Sequence, residues 1–597
     1  MKFAWLCKYV PVEMLKSAGV EMVRLQPDVT GFEKADCLLH SNMCSFIKAS
    51  LEEYAEGEYD GIILTNCCDS TRRLYDCIKE EFPDRFCHML DVPRLVTESS
   101  CDLYTESLKN LAELLKEKGL PPDMEKLRET LKNGEEVPHP DTECDAKIRL
   151  AIMGARLGES VRRMISEYDV AVMDDMTCTQ TDRCYAVPDE QDLIQGYAFA
   201  LLNQFPCMRM AETAPRMQRL EEQKESVDGI LYHTMKFCDM YSYEFAYLSR
   251  RETIPVLKIE TDSTPQSSGQ VRTRLEAFFE SIVQAKGLPA ESIRKTLPCS
   301  AAESDGDHSD MTGKKKKNGS GKKIRARRQK NSMDSTFRVI GIDSGSTSTN
   351  AVLMDENKKI MGSVVIRTGA KSIESAEKAC RQVAEEAGIR MEEIDLTVST
   401  GYGRINIDFA DREITEISCH GRGAHYFNPD VRTILDIGGQ DSKAIHIDKD
   451  GNVLDFAMND KCAAGTGRFL EMMASTLAVD MDELGPLSLE WREDIDISSM
   501  CSVFAESEVI SLIADNKEKA DIAHGVHKSI ASRAVSLMRR VGLEEGLMMT
   551  GGVAKNQGAV KEIEKKAGHR IIICENPEIV GAVGAALFGI EELTAEQ

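Results

Sequence analysis

The 597-residue chain carries 74 Lys and Arg against 99 Asp and Glu, a formal charge of −25, with 42% hydrophobic and 6% aromatic residues. That length exceeds a single hydrophobic core and calls for two or more domains, and the acidic balance argues against nucleic acid as a partner. No run of about 18 apolar residues occurs, so no membrane span is expected, and Lys8 interrupts the first apolar stretch too early for a secretory signal, which points to the cytoplasm.

Nineteen cysteines are present, fourteen of them at or before Cys299. An odd count in a reducing compartment speaks against a disulfide framework and for thiols kept for metals or chemistry. In chain order, the apolar runs beginning at Asp60, Ile148, Asp169, Asp228 and Ile254 read as buried parallel strands that end in polar or cysteine-bearing turns. Amphipathic stretches lie between them, so residues 1–298 are predicted to be α/β, with two doubly wound parallel-sheet subdomains of about 1–145 and 146–298. Residues 299–335 show no apolar periodicity and carry ten Lys and Arg between Lys314 and Lys330. Without aromatic residues to stack bases, this stretch is predicted to be a solvated linker.

Residues 336–597 form the last predicted domain. Its first strand runs into Asp343, Ser344, Gly345, Ser346, Thr347 and Ser348, a turn that presents backbone N–H groups and hydroxyls to phosphate, with Asp343 set to hold a Mg²⁺ water. A second copy, Asp436-Ile437-Gly438-Gly439-Gln440-Asp441, faces it across a cleft. A third turn of Gly551, Gly552, Val553, Ala554, Lys555 and Asn556 lets backbone approach an adenosine, since glycine has no Cβ. The two Asp-x-Gly turns imply an internally duplicated α/β domain.

These three turns, in this order, resemble the actin, heat-shock chaperone and sugar kinase superfamily of ATPases. Within it, Thr400-Gly401-Tyr402-Gly403-Arg404, the run from Asn459 through Cys462 to Arg468, and the run from Cys501 to Glu508 resemble the activators of 2-hydroxyacyl-CoA dehydratases and related iron–sulfur reductases. The resemblance implies ATP and Mg²⁺ bound at these turns, with Gln440 or Asp441 positioning the attacking water. It also implies one [4Fe–4S] cluster on a two-fold axis, to which each subunit of a homodimer gives Cys462 and Cys501. Both cysteines precede helix-like segments, whose N-termini favour a thiolate.

In the N-terminal half, Val10-Pro11-Val12-Glu13, Cys68-Asp69, Lys236-Phe237-Cys238-Asp239 and the stretch from Gly269 to Arg274 resemble the small subunits of 2-hydroxyacyl-CoA dehydratases and benzoyl-CoA reductases. Cys44, Cys68 and Cys238 match the positions of that family's three cubane ligands. This chain adds Cys67, Cys178 and Cys207, with Cys184 in reserve. Six ligands match the double-cubane proteins, whose paired units form an [8Fe–9S] cofactor; a single [4Fe–4S] cluster is the alternative. Cys7, Cys37, Cys77, Cys87, Cys101, Cys144 and Cys299 are expected to be core or surface thiols.

The resemblance thus implies ATP-dependent electron transfer from ferredoxin or flavodoxin, through the shared cluster, to a small substrate at the N-terminal cluster. Three rivals remain: a 2-hydroxyacyl-CoA dehydratase or aryl-CoA reductase fused to its activator, a small-molecule kinase, and a non-enzymatic redox sensor.

Overall fold

Runs such as Gly61–Thr65 and Gly229–Met235 are buried along their whole length, which suits strands covered by helices on both faces. The computed structural model describes residues 1–40, 42–132, 145–178, 192–248, 254–264, 268–294, 337–369, 371–459, 463–497 and 502–595. The expected linker 299–335 lies outside them, as do Cys144, Cys184, Cys299, Cys462 and Cys501. The chain divides into two units, Met1–Leu275 with Ile293–Lys295, and Glu276–Ser292 with Thr296–Gln597.

The first unit holds two four-stranded sheets, parallel throughout. One runs in the order β2 (Glu21–Arg24), β1 (Lys2–Trp5), β3 (Gly61–Thr65), β4 (Phe86–Leu90). The other runs β6 (Val170–Thr177), β5 (Ile148–Gly154), β7 (Gly229–Met235), β8 (Val256–Thr261). In each, the chain steps outward from the first strand and then returns to its other side. The order therefore reverses between β1 and β3 and between β5 and β7, and crevices open at the carboxyl ends of those strands. The two doubly wound sheets expected of this half are both present.

The second unit is built from two five-stranded sheets with one plan. The first is β11 (Ile360–Arg367), β10 (Ser348–Asp355), β9 (Arg338–Ser344), β12 (Leu396–Thr400), β13 (Arg412–Glu413). The second is β16 (Val453–Asn459), β15 (Ser442–Ile447), β14 (Thr433–Ile437), β17 (Leu547–Thr550), β18 (Ile571–Ile572). Both begin with an antiparallel meander and end with two parallel pairings. The duplication inferred from the two Asp-x-Gly turns is thus a repeated sheet, as in the actin and sugar kinase fold. Among the described residues, no helix is long and apolar enough to cross a membrane.

Candidate functional site

Repetition of the sheet makes the second unit's candidate site two-fold in its chemistry. Asp343 stands near the end of β9 and Asp436 near the end of β14, each paired across its hairpin, with Asn350 and Lys443 respectively. Each turn that follows is closed by a backbone bond, Gly345 N to Ser348 O at 2.9 Å and Gly438 N to Asp441 O at 3.0 Å. The neighbouring parallel strands end in Thr400-Gly401 and Thr550-Gly551, and both glycines hold positive φ, 85° and 81°. A Cβ on Gly401 would come within 2.4 Å of Asp343 Oδ1, and one on Gly551 within 2.8 Å of Asp436 Oδ1. Both backbones therefore lie against the carboxylates, where no side chain fits.

The two turns also meet. A Cβ on Gly439 would fall 1.9 Å from Thr347 Oγ1, so the glycine is what lets the second turn lie against the first. Ser346 and Thr347 are exposed and Gly345 and Ser348 half-buried, while Ser344 is buried beneath them. Gln440 is exposed beside half-buried Asp441. In the third turn Gly552–Lys555 make a short 3-10 helix, in which Val553 and Ala554 are buried. Asn556 Oδ1 accepts from Ala559 N at 3.0 Å and sits 3.0 Å from His527 Nε2, so its side chain caps the next helix.

Sequence reasoning missed two groups at the floor of this site. Lys443, buried on β15, reaches Asp441 at 2.8 Å and Asp436 at 3.3 Å. His420, on the helix Glu416–Phe427, places Nδ1 at 2.9 Å from Glu416 O and Nε2 at 3.3 Å from Asp436 Oδ1. Neither lies in a glycine-rich turn, so no local signal marks them. Burial alone would discharge His420, but the Asp436 carboxylate outweighs it and lifts the imidazole to about 9. Burial also raises Asp343, to about 6, although His420 pulls the other way. A histidine raised on folding stabilises the protein fully below its unfolded value of 6.5, and that contribution is lost as pH climbs through about 9. We expect the thermal midpoint of the second unit to fall between these two pH values, and His420→Gln to flatten the fall; calorimetry across the range measures both.

A further pair of contacts leaves the site. The helix Gly467–Leu477 has no side-chain cap at its N-terminus. Its first two N–H groups donate instead to the second turn, Gly467 N to Gly438 O and Arg468 N to Gly439 O, both at 2.9 Å. That satisfies orphan donors of the first helical turn and ties the second turn to the segment that leads back to Cys462.

In the first unit the thiols gather at strand ends. Cys44 and Cys68 are the N-cap residues of the helices Ser45–Glu56 and Asp69–Glu81, and Cys238 directly precedes the helix Asp239–Leu248. All three face positive helix ends. Ser45 N donates to Lys236 O at 3.1 Å, which brings Cys44 to Cys238, and these two thiols are hydrogen-bonded. Cys67 and Cys68 Sγ lie 3.1 and 3.2 Å from Thr71 Oγ1. The bond between the paired thiols lowers Cys68 to about 6 and raises Cys67 to about 12. Cys178 follows β6 and bonds Tyr241, and it neighbours Cys207. Cys7, expected as an isolated core or surface thiol, instead bonds Cys67 and neighbours Cys207.

Two buried cations border this set. Lys8 is 1% exposed, and Arg216 is fully buried. Arg216 pairs with Glu244 at 2.6 Å, and it also donates to Met176 O at 3.2 Å and Pro206 O at 3.3 Å, which joins the loops of Cys178 and Cys207. Positive charge beside several thiols, three of them at helix N-termini, suits thiolates around a net-negative iron–sulfur unit. Among the described residues no three ligand side chains are drawn to metal spacing.

A sequence model described as the BadF/BadG/BcrA/BcrD ATPase family matches residues 340–589. Another, described as 2-hydroxyglutaryl-CoA dehydratase, D-component, matches residues 7–137 and 125–282. The activator of lactoyl-CoA dehydratase from Anaerotignum propionicum is 47% identical over 253 residues, 42% of this chain and 97% of that protein. The 2-hydroxyisocaproyl-CoA dehydratase activator of Clostridioides difficile is 42% identical over 259 residues, 43% of this chain and 97% of that one. A solved structure of the activator of the 2-hydroxyisocaproyl-CoA dehydratase from Clostridium difficile with bound ADPNP is 42% identical and covers 44% of this chain and 97% of its own, with a TM-score of 0.42.

Proposed function

Because the chain belongs to the BadF/BadG/BcrA/BcrD ATPase family through its C-terminal half and carries a dehydratase-component half before it, we propose that it is an ATP-driven, low-potential electron-transfer enzyme with both partners in one polypeptide. Cys462 and Cys501 would hold a [4Fe–4S] cluster and thiols of the N-terminal half a double-cubane [8Fe–9S] cluster, and these groups would supply the electron carriers for reduction of a small molecule. The observation that carries this reading is a single chain in which a thiol cradle with two buried cations accompanies a duplicated nucleotide site. When bound, the clusters supply one-electron carriers whose potentials follow their charge, hydrogen bonding and burial.

The chain's own residues have separate tasks. Asp343, through a Mg²⁺ water, and the turns at Ser344–Ser348, Gly438–Gly439 and Gly551–Ala554 bind ATP, and catalysis there is positioning and charge stabilisation. Lys443 holds Asp441, and exposed Gln440 beside it orients the attacking water. Phosphate contacts at Gly438 and Gly439 shift the carbonyls that bind Gly467 and Arg468, so the nucleotide state is passed to a helix that begins five residues after Cys462. ATP drives that shift only by the difference in its affinity for the two states.

The helix Ser502–Ala514 starts directly after Cys501 and turns Val503, Phe504 and Ile510 outward, 62%, 66% and 54% exposed. An apolar face of that kind marks an interaction surface. A second copy covers it in a homodimer, which also brings four thiolates to one cluster. The donor is a ferredoxin or flavodoxin, and covalent attachment of the N-terminal half raises its effective concentration. In that half, a cavity of about 230 Å³ lined by Phe46, Arg156, Met235 and Thr261 lies close in sequence to Cys44 and Cys238 and would admit a small substrate.

Anaerobic purification with iron and sulfide analysis, and electron paramagnetic resonance with and without ATP, tests the scheme. We expect iron–sulfur signals whose shape changes with ATP. A chain without acid-labile sulfide would end this reading and leave a kinase or another ATPase in its place.

A further inference from the structure

Cys7 stands two residues beyond β1, and Cys67 two residues beyond β3. These strands pair in parallel with Trp5 opposite Ile63, and the order of the sheet reverses between them. Two thiols therefore occupy the crevice where open parallel sheets bind their ligands. The loop of Cys207 is laid against the same place. Lys8 Nζ donates to Phe205 O, and Gln204 Nε2 donates to Lys8 O at 3.5 Å. Cys207 and Cys7 are electrostatic neighbours, with buried Lys8 between their loops.

Cys67 and Cys68 share one contact, their Sγ atoms lying 3.1 and 3.2 Å from Thr71 Oγ1, and they join two groups of thiols. Cys68 neighbours Cys44 and Cys238, and Cys67 bonds Cys7. Cys178 neighbours Cys207 as well, but its own hydrogen bond goes to Tyr241.

We infer that Cys7 is a cluster ligand, holding with Cys67 and Cys207 the second of two cubanes, while Cys44, Cys68 and Cys238 hold the first and Cys178 stands outside both. This rests on the double-cubane reading proposed above. Each thiol binds as thiolate and releases its proton. Three thiolates would serve three of the four irons of each cubane. Lys8 places its charge beside the second set.

The full-length chain and its Cys7→Ser, Cys67→Ser and Cys178→Ser variants, purified without oxygen, are assayed for iron and acid-labile sulfide. Cys7→Ser and Cys67→Ser are expected to lose about four irons per chain, one cubane each, and Cys178→Ser none. Circular dichroism and ATP hydrolysis check that each variant has folded. Should Cys7→Ser fail that check, the loaded wild-type chain is alkylated in mild denaturant. Cys7, Cys67 and Cys207 are then expected to be protected together and to react together once a chelator strips the iron. Full iron in a folded Cys7→Ser variant, or alkylation of Cys7 independent of iron, overturns the assignment of Cys7 alone. A wild-type N-terminal half with only about four irons defeats the double-cubane reading itself, and Cys7 with it.

Discussion

Gly439→Ala is expected to lower kcat/KM for ATP hydrolysis at least 100-fold, about 3 kcal/mol of transition-state stabilisation. The added Cβ would sit 1.9 Å from Thr347 Oγ1 and 2.9 Å from Thr347 Cβ, so the Thr347 side chain must turn away and the two turns must separate. Catalysis that depends on positioning tolerates no such opening, because a displacement of about 1 Å costs on the order of 100-fold. The same shift carries Gly439 O away from Arg468 N and loosens the helix that follows Cys462. Thr347→Gly removes both close atoms and should restore much of the lost rate in the double variant. Stopped-flow phosphate release on the single and double variants measures the effect. Wild-type turnover in Gly439→Ala would mean that the turns do not close around the nucleotide.

Cys462→Ala is expected to abolish ATP-dependent substrate reduction, by 1000-fold or more, while ATP hydrolysis stays within a few-fold of wild type. Removing one of two thiols per subunit leaves the shared cluster with two ligands in place of four, too few to hold a cubane. The nucleotide turns keep their own supports, since Asp343 and Asp436 are set by β9 and β14, and Lys443 and His420 lie on other elements. Anaerobic assays that follow reductant oxidation and phosphate release in one sample separate the two activities. A small-molecule kinase would show no such reduction in either form and an acceptor-dependent ATP turnover that the substitution leaves unchanged. Loss of ATP hydrolysis in step with reduction would make the cluster part of the nucleotide site, against the division of labour proposed here.

The nucleotide half was legible in outline because its marks are local. An apolar run, a carboxylate and a Gly/Ser/Thr turn occupy about ten consecutive residues, and the turn chemistry is dictated by backbone that only small residues allow. Gly401 and Gly551 could have been matched as copies, since each follows a threonine and each adopts positive φ. Lys443 and His420 could not, because a lysine in a strand and a histidine in a helix look like solvated or core residues until sheet pairing brings Asp436 to both.

The thiols divide in the same way. Cys44, Cys68 and Cys238 stand immediately ahead of helices, a position that the order of residues reveals. Cys7 carries no neighbouring mark: its partners Cys67 and Cys207 lie 60 and 200 residues away along the chain.

Sequence by itself determined the two α/β halves, the internal duplication, the three glycine-rich turns and the thiol-rich character of the first half, because each depends on short-range periodicity or on conformations open to few residue types. Tertiary structure alone decided which charges meet beneath the turns, that the helix after Cys462 hangs from the carbonyls of Gly438 and Gly439, and that Cys7 belongs with the strand-end thiols. Those contacts join residues far apart in the chain, and only the order in which strands assemble into sheets brings them within bonding distance.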